Sequence, residues 1–133
     1  MGAPVVIGAF EMVKGLWLVA ERPADQSLAG YLEFPGGKVE EEDKTEELAL
    51  DREWYEELGC RPLNQYCLDS TYLYNDSYGW WHAIYYVVPK VVGLPRPRLG
   101  QRLKLVTLAT LLDENVAVTE MTRDLAFALW GDK

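Results

Sequence analysis

The stretch GGKVEEEDKTEELALDREWYEELGC, residues 36–60, joins a turn of two glycines to a strongly acidic helix. At about 100° per residue, the carboxylates of Glu53, Glu56 and Glu57 fall within an arc of roughly 100° on that helix. Like charges one turn apart repel each other by roughly 0.2–0.5 kcal/mol per pair in a bare helix. The cluster therefore requires a counter-charge, and a hard divalent cation with oxygen ligands is the natural one.

The residues around this acidic cluster favour a functional site over the simpler interpretation, which is a solvated acidic helix face. Gly36 and Gly37 permit positive φ angles and a close approach of the backbone to a ligand. Arg52 lies directly beside the acidic triplet, and Gly59 after Leu58 is a helix stop of the usual glycine type. We therefore expect a charged site where the turn meets the helix.

These residues resemble the Nudix box, whose pattern is Gly, five residues, Glu, seven residues, then Arg-Glu-apolar-x-Glu-Glu-x-Gly-apolar. The residues that match the second half of this pattern are Arg52, Glu53, Trp54, Glu56, Glu57, Gly59 and Cys60. The preceding run LEFPGGK, residues 32–38, is similar to the MutT-like nucleoside triphosphate pyrophosphohydrolases in particular. The resemblance implies an α/β protein with the Nudix fold, which is an α/β/α sandwich with a mixed central sheet.

The match has one irregularity, in the loop before the helix. Residues 38–51 separate Gly37 from Arg52, one residue more than in the family pattern. The first Glu of the pattern therefore falls on Asp43 when counted forward, or on Lys44 when counted back. Asp43 could supply a carboxylate on a shorter stem, whereas Lys44 could not. Because this Glu supports the loop and the arginine in the family, the irregularity bears on efficiency more than on the metal site.

The resemblance implies a Mg²⁺ site, with Mn²⁺ as an alternative ion. The expected metal ligands are the side chains of Glu53, Glu56 and Glu57 and the backbone carbonyl of Gly36. Arg52 is expected to lock the loop to the helix, so the expected catalytic residues are Glu53, Arg52 and Glu57. Glu53 is also a candidate for activating water, and the sequence does not separate the roles of ligand and base.

Substrate contacts are expected on both sides of the glycine turn. Arg22 resembles a family arginine near the substrate phosphates, although a surface arginine is an equal alternative. Phe34 is as consistent with the core as with the nucleoside, and Met121 follows Glu120 where MutT-like enzymes contact the base. The full expected set of substrate-binding residues is Arg22, Glu33, Phe34, Gly37, Lys38 and Met121.

A carboxylate that the MutT-like group often carries in the loop before its last strand is missing. Leu99 stands where that Glu is expected, and no Asp or Glu occurs between Asp76 and Asp113. If the family Glu acts as base or ligand, this protein works without it or uses another group. The absence is the strongest argument for weakened catalysis, and hence for a nucleotide-binding module as the alternative to an enzyme.

Apolar runs predict strands on both sides of the acidic helix. The first two are expected to form a hairpin through Lys14 and Gly15, and the next two to flank a turn over residues 75–79. The expected strands cover residues 5–10, 16–20, 67–73, 80–88 and 103–108.

Helical spacing predicts two helices, over residues 45–58 and 121–130. The face of the first that should pack on a sheet carries Leu50, Trp54 and Leu58. The second has Thr119 or Thr122 available as its N-cap.

Aromatic side chains cluster in the expected strand over residues 80–88. Alternation sends Trp81 and Tyr85 to one face and Trp80 and Tyr86 to the other. One face could stack a nucleobase, worth about 1–3 kcal/mol, but an aromatic core or a dimer interface is the simpler interpretation. His82, the one histidine of the chain, is expected to be structural.

Size and composition limit the remaining possibilities. A chain of 133 residues suits one domain over residues 1–133, and its formal charge of −8 without a basic stripe disfavours nucleic acid. No signal peptide, membrane span or disulfide framework is expected, which indicates the reducing cytoplasm and leaves monomer and homodimer open.

The combined expectation is Mg²⁺-dependent hydrolysis of a nucleoside triphosphate to a nucleoside monophosphate and pyrophosphate, of the house-cleaning type. The alternatives are hydrolysis of another nucleoside diphosphate linked to X, such as a dinucleotide or a nucleotide sugar, and the binding module already mentioned.

Overall fold

The computed structural model describes residues 2–77 and 79–131. The expected domain over residues 1–133 and the expected turn over 75–79 therefore include positions outside the described residues. The elements in chain order are β1 Val5–Ala9, β2 Glu11–Val13, β3 Leu16–Glu21, β4 Leu32–Glu33, β5 Gly36–Lys38, α1 Glu46–Leu58, β6 Arg61–Leu63, β7 Tyr66–Asn75, β8 Gly79–Val87, β9 Lys90–Val92, β10 Arg102–Val106, α2 Leu108–Leu112 and α3 Glu120–Gly131.

A mixed sheet with the strand order β5-β1-β8-β7 forms the centre of the fold. β1 runs parallel to β8, while the other two neighbouring pairs are antiparallel. A second sheet has the order β10-β3-β2, with β4 paired to β3, and β6 pairs with β9 in a two-stranded ribbon. The expected α/β fold with a mixed sheet between helices is confirmed.

Two hydrophobic clusters cover the two faces of the sheets, and alternate residues of the same strands belong to each. Ile7 of β1 and Tyr85 of β8 pack in the cluster that includes the buried side of α3. Val6 and Ile84, their sequence neighbours, pack in the cluster that includes α1. Since side chains alternate along a strand, the nearly continuous apolar runs of β1 and β8 are explained by burial on both sides.

The acidic helix forms where the sequence predicts it. Thr45 is its N-cap, and its hydroxyl accepts the amide hydrogen of Leu48 at 3.0 Å. Gly59 ends the helix in the left-handed conformation, with φ of 69°. The buried residues of the helix are Ala49, Leu50, Trp54 and Leu58, and they fix the helix on the sheet.

A hairpin was expected between residues 5–10 and 16–20, but the strand over residues 5–10 is not part of it. The turn at Lys14 and Gly15 exists, but it joins β3 to β2, whose residues are all exposed. β1 pairs with β5 and β8 instead, because a strand buried on both faces belongs inside a sheet. The chain changes sheets at Phe10, whose carbonyl accepts the amide hydrogen of Leu18 at 2.9 Å.

Three smaller features differ from the expectation. The ribbon of β6 and β9 and the five-residue helix α2 were not predicted, because short elements give little periodic signal. Thr122 is not a helix cap, since it lies inside α3 with 1 % exposure. Thr119, the other candidate, directly precedes the helix, and its carbonyl accepts from the amide of Arg123. None of the described helices is long and apolar enough to span a membrane.

Candidate active site around the glycine turn

Gly36 and Gly37, which were expected in a turn, lie in strand β5 and pair with β1; the segment Phe34–Gly37 is called the glycine turn below. The two glycines are required for close approach rather than for an unusual backbone angle. Neither adopts a φ in the left-handed region. A Cβ on Gly36 would collide with the carbonyl oxygen of Val6, and a Cβ on Gly37 would collide with the carboxylate of Glu53. Any larger residue would therefore separate the turn from β1 or from the acidic face of α1.

The turn is held from both sides of the sheet by its first two residues. The amide of Phe34 donates to Oγ1 of Thr122 in α3 at 2.9 Å. The carbonyl of Pro35 accepts from the indole of Trp54 in α1 at 3.1 Å. Both contacts are buried, so the turn has a fixed position relative to both helices.

Arg52 is the centre of an ion-pair network at the start of the site. Its Nε and Nη2 donate to the two carboxylate oxygens of Asp43, each at 2.9 Å, which is the bidentate geometry favoured by guanidinium. Nη2 also donates to the carbonyl of Lys38 at 3.1 Å, and Nη1 bonds Glu53 and Glu56 at 3.0 Å. These bonds tie the loop over residues 38–43 to the helix.

Asp43 corresponds to the first Glu of the family pattern, which the irregular spacing assigned to either Asp43 or Lys44. Its side chain is only 6 % exposed, and one of its oxygens also accepts the amide hydrogen of Glu40 at 2.8 Å. The hydrogen bonds from Arg52 hold the pKa of Asp43 below its usual range. Lys44, the other residue onto which the pattern could fall, is exposed. Asp43 therefore makes the contacts that the family Glu was expected to make.

Glu53 and Glu57 meet directly behind the glycine turn. Burial raises the pKa of Glu57 well above its usual range, and the nearby charge of Glu53 raises it further. A backbone hydrogen bond from Gly36 to the Glu57 carboxylate opposes these effects. Among the described residues, the buried Oε2 of Glu57 has no hydrogen-bond partner. A buried carboxylate oxygen without a donor is an unsatisfied ligand position.

Glu56 stands apart from this pair. Its side chain is 53 % exposed and bonds Arg52 on the solvent side of the helix. In residues 2–77 and 79–131, no group of three or more His, Cys, Asp or Glu side chains is already gathered as a metal site. The donor set nevertheless fits a hard cation, because two adjacent carboxylates and an unpaired oxygen provide charge and open coordination.

A cavity of about 600 Å³ opens on the other side of the glycine turn. Its wall includes all the residues expected to bind substrate, which are Arg22, Glu33, Phe34, Gly37, Lys38 and Met121. Gly36 also lines the cavity, so the turn separates the cavity from the carboxylates of Glu53 and Glu57. The size is within the usual range for a small-molecule site.

Arg22 and Glu33 form an ion pair in the cavity wall. Nη1 of Arg22 lies 3.2 Å from both carboxylate oxygens of Glu33, and its Nε donates to the carbonyl of Ser27 at 2.7 Å. Burial raises the pKa of Glu33, and the charge and hydrogen bond of Arg22 lower it. The pair gives the cavity a charged wall with both donors and acceptors.

The sequence did not indicate that Thr122 and Asn75 line this cavity. For Trp81 it left two interpretations open, stacking on a base and packing in the core. The structure places all three in the cavity wall. Trp81 is half-buried and also packs against the cluster under α3. Strand alternation could have indicated which face of the sheet Trp81 joins, but it gives no signal for the contact of Thr122 with Phe34, which joins residues 88 apart.

The loop over residues 94–101 does reach α1, but through backbone, amide and guanidinium groups rather than through a carboxylate. The amide of Arg98 donates to the carbonyl of Glu57 at 3.1 Å. Leu99, which stands where a carboxylate was expected, has a side chain that is 57 % exposed.

Comparison with known proteins gives the class to which this fold and site belong. A family model described as the NUDIX domain matches residues 2–124. The chain belongs to the Nudix family of hydrolases. Its relatives are of the MutT type: a solved structure of the MutT NUDIX hydrolase of Burkholderia pseudomallei is 26 % identical, with a TM-score of 0.77, over 96 % of this chain and 99 % of that one.

Two curated relatives are more similar over a shorter segment. One is a CTP pyrophosphohydrolase of Escherichia coli, 48 % identical over 54 residues, which are 41 % of this chain and 39 % of the relative. The other is an 8-oxo-dGTP diphosphatase of Proteus vulgaris, 49 % identical over 41 residues, which are 31 % and 36 % of the two lengths. The chain thus matches less than half the length of either protein.

Proposed function

We propose that this chain hydrolyses a nucleoside triphosphate to a nucleoside monophosphate and pyrophosphate in a reaction that depends on Mg²⁺ or Mn²⁺. The observation that carries the proposal is the position of Gly36 and Gly37. They form one wall of the cavity and also touch the carboxylates of Glu57 and Glu53. A substrate whose phosphates meet the carboxylates through a cation would then place its nucleoside in the cavity.

The metal would be held by Glu53 and Glu57, with Glu56 and the carbonyl of Gly36 as further ligands. Bound there, the ion would neutralise charge on the phosphate oxygens and acidify a water molecule. Such help is needed in this protein, because a polyphosphate would otherwise be repelled by the carboxylates and by a net charge of −8. Arg52 acts from behind, by fixing Glu53, Glu56 and the loop that carries Asp43.

The nucleoside would lie against Phe34, Met121 and Trp81, with Arg22 and Glu33 available for polar contacts. Lys38 is exposed at the end of β5 and would meet the phosphates as a positive charge. The activities named for the two curated relatives, on CTP and on 8-oxo-dGTP, support a nucleoside triphosphate as the substrate class.

Turnover measured over a panel of nucleotides tests the proposal. The panel contains the eight common nucleoside triphosphates, 8-oxo-dGTP, ADP-ribose and a dinucleoside polyphosphate, each with Mg²⁺, with Mn²⁺ and with excess EDTA. We expect release of pyrophosphate from at least one triphosphate, and its loss in EDTA and in the Glu53→Gln variant. Turnover of only ADP-ribose or of the dinucleotide would replace the substrate class and retain the metal chemistry.

A second candidate, a binding module, is favoured by one observation. The 94–101 loop offers α1 no carboxylate at the position of Leu99, so a family acid–base group is absent. Metal-dependent nucleotide binding in calorimetry, without turnover of any compound in the panel, would support the module and reject the enzyme.

A further inference from the structure

The last turn of α1 carries the Glu57 carboxylate, and within the helix and its cap only the amide of Gly59, which donates to the carbonyl of Tyr55, stabilises its end. No basic residue occurs in that turn. The last carbonyls of a helix lack intrahelical partners and carry partial negative charge, so they require donors from elsewhere. Here the 94–101 loop supplies them.

Three carbonyls of this turn accept hydrogen bonds from the loop. The amide of Arg96 donates to Leu58 at 3.0 Å, and Nη1 of Arg98 donates to Tyr55 at 2.8 Å. The carbonyl of Glu57 accepts twice, from the amide of Arg98 at 3.1 Å and from Nε2 of Gln101 at 3.0 Å.

Gln101 is the buried member of this set. It is 8 % exposed, in a loop whose neighbouring residues are exposed. Its Oε1 accepts the amide hydrogen of Leu99 at 2.8 Å, so its Nε2 is the group that faces the carbonyl of Glu57. Both ends of the amide are therefore occupied, and its orientation is fixed by the two different partners.

The backbone of Glu57 is consequently held by the loop, and its carboxylate lies beside the glycine turn. Gln101 bonds the Glu57 carbonyl from the loop, and the backbone amide of Gly36 is close enough to the carboxylate to lower its pKa. A shift or rotation of the last helical turn moves the carboxylate relative to the glycine turn. The bonds from the loop therefore help to fix the last helical turn, and with it the position of Glu57.

We propose that Gln101 is a positioning residue, which fixes the last turn of α1 and thereby the Glu57 carboxylate as a ligand for the catalytic cation. The inference rests on the function proposed above. It gives the 94–101 loop a role in the site that depends on an amide at Gln101 rather than on a carboxylate at Leu99.

The variant Gln101→Met removes both hydrogen bonds and keeps a side chain of similar length. Gln101→Glu keeps an acceptor for the amide of Leu99 but cannot donate to the carbonyl of Glu57 when ionised. Thr107→Ala is a matched control, because it removes the N-cap of α2, which is not in the site. It reports what a loss of local stability does without a change at α1.

Mn²⁺ binding without nucleotide, followed by electron paramagnetic resonance, is the direct readout, with melting temperatures measured alongside. We expect a dissociation constant for Mn²⁺ raised at least about tenfold in Gln101→Met, the lower end for an outer-shell partner of a metal ligand. Gln101→Glu should show a similar loss, and Thr107→Ala should bind as the parent does. At saturating Mn²⁺, the KM for nucleotide should change less than the metal affinity.

Two outcomes would overturn the inference, and they are distinguishable. If Glu57→Gln abolishes Mn²⁺ binding but both Gln101 variants bind within twofold of Thr107→Ala, Gln101 does not position the ligand. If Gln101→Met does not fold, Gln101→Glu alone decides by the same criterion. If Glu57→Gln binds Mn²⁺ as tightly as the parent, the proposed metal site fails, and the role of Gln101 fails with it.

Discussion

α1 and α3 hold the same short stretch of chain from opposite faces of the sheet, and they do so with different chemistry. α3 holds Phe34 through the neutral hydroxyl of Thr122, and α1 holds Pro35 through the indole of Trp54. Beyond these contacts, α1 presents an ion-pair network, whereas the described cavity wall on the α3 side combines Thr119, Glu120, Met121 and Thr122.

The difference indicates that the α1 side and the α3 side have different roles. The carboxylates of α1 depend on close contacts with charged or polar neighbours. Glu53 bonds Arg52, and Glu53 and Gly36 both shift the pKa of Glu57. The α3 side mainly supplies shape and a few polar groups. Substitutions on α1 should therefore affect the metal and the chemical step, and substitutions on α3 should affect the binding of the nucleoside.

The largest effect is expected for Glu57→Gln, with Glu56→Gln as the matched control. Loss of a buried charged ligand should lower kcat by about 100-fold or more, since metal charge stabilisation is worth several kcal/mol. The exposed Glu56, which bonds Arg52, should matter less, with a loss near tenfold. Steady-state kinetics at saturating Mg²⁺ measure both. Equal losses in the two variants would show that the site is not centred on the buried pair.

Asp43→Asn should weaken the support of Arg52 and lower activity by between about 10- and 100-fold, as for other outer-shell partners. Lys44→Ala, one residue along, is the control and should have almost no effect. A parent-like rate for Asp43→Asn would show that the bidentate pair with Arg52 is dispensable.

The same pair predicts a pH dependence of stability. Because Arg52 lowers the pKa of Asp43 in the folded protein, the stability that it contributes is present above the ordinary Asp value. It is lost as the pH falls through the lowered folded value. The parent should therefore melt at a higher temperature than Asp43→Asn at pH 7, and the difference should shrink on acidification below about pH 4. A difference that stays constant down to pH 3 would contradict the assignment.

Leu99→Glu tests the chemistry at the end of α1. If the absent loop carboxylate limits the reaction, its introduction should raise turnover on the order of tenfold, the low end for one positioned acid–base group. Leu99→Gln, which adds no charge, is the control. Since Leu99 is 57 % exposed, the change should not impair folding. Unchanged or lower turnover in folded Leu99→Glu would place the base elsewhere, with Glu53 or Glu120 as the next candidates.

The smallest effect is expected on the α3 side, for Thr122→Val. The amide of Phe34 would lose its acceptor, which should lower the stability of the protein by about 1 kcal/mol. Because Phe34 and Thr122 also line the cavity, we expect KM for the nucleotide to rise by up to roughly fivefold, the equivalent of about 1 kcal/mol in binding. kcat should stay near the parent value because the carboxylates are not touched. Thr122→Ser keeps the hydroxyl and should restore KM. A fall in kcat without a change in KM would remove the distinction between the two helices.

The part of the fold that the sequence predicted is the part with strong local patterns. α1 has a cap, a glycine stop and an apolar stripe within fifteen residues, Thr45 to Gly59, and it forms as expected. β1 was paired wrongly because the turn at Gly15 is local, whereas the parallel pairing with β8 joins residues such as Val5 and Ala83. A sequence pattern can show that β1 is buried on both faces, but it does not name the neighbours.

The same holds for the candidate site: residues in a local pattern were predicted, and residues that make long-range contacts were not. The residues of the glycine turn and of α1 were predicted through their spacing, and the structure brings Glu53, Glu57 and Gly36 close together. The contacts of Thr122 and Gln101 were not predicted. Each is a hydrogen bond to a residue more than forty positions away, at 88 and 44 residues respectively. Such contacts have no periodicity and carry no charge pattern, so a single sequence does not reveal them.

Two consecutive glycines, Gly36 and Gly37, lie between the cavity and the carboxylates. This arrangement limits which positions of the sequence can vary independently. The substrate wall formed by Met121 and Trp81 shares no side chain with the network of Arg52. On the function proposed above, substitutions at a few wall positions, in evolution or in a library, should therefore change specificity without a change in the carboxylates of α1. A library at Gly36 has no such freedom, because a Cβ there collides with the backbone of β1, and a side chain at Gly37 would displace the carboxylate of Glu53.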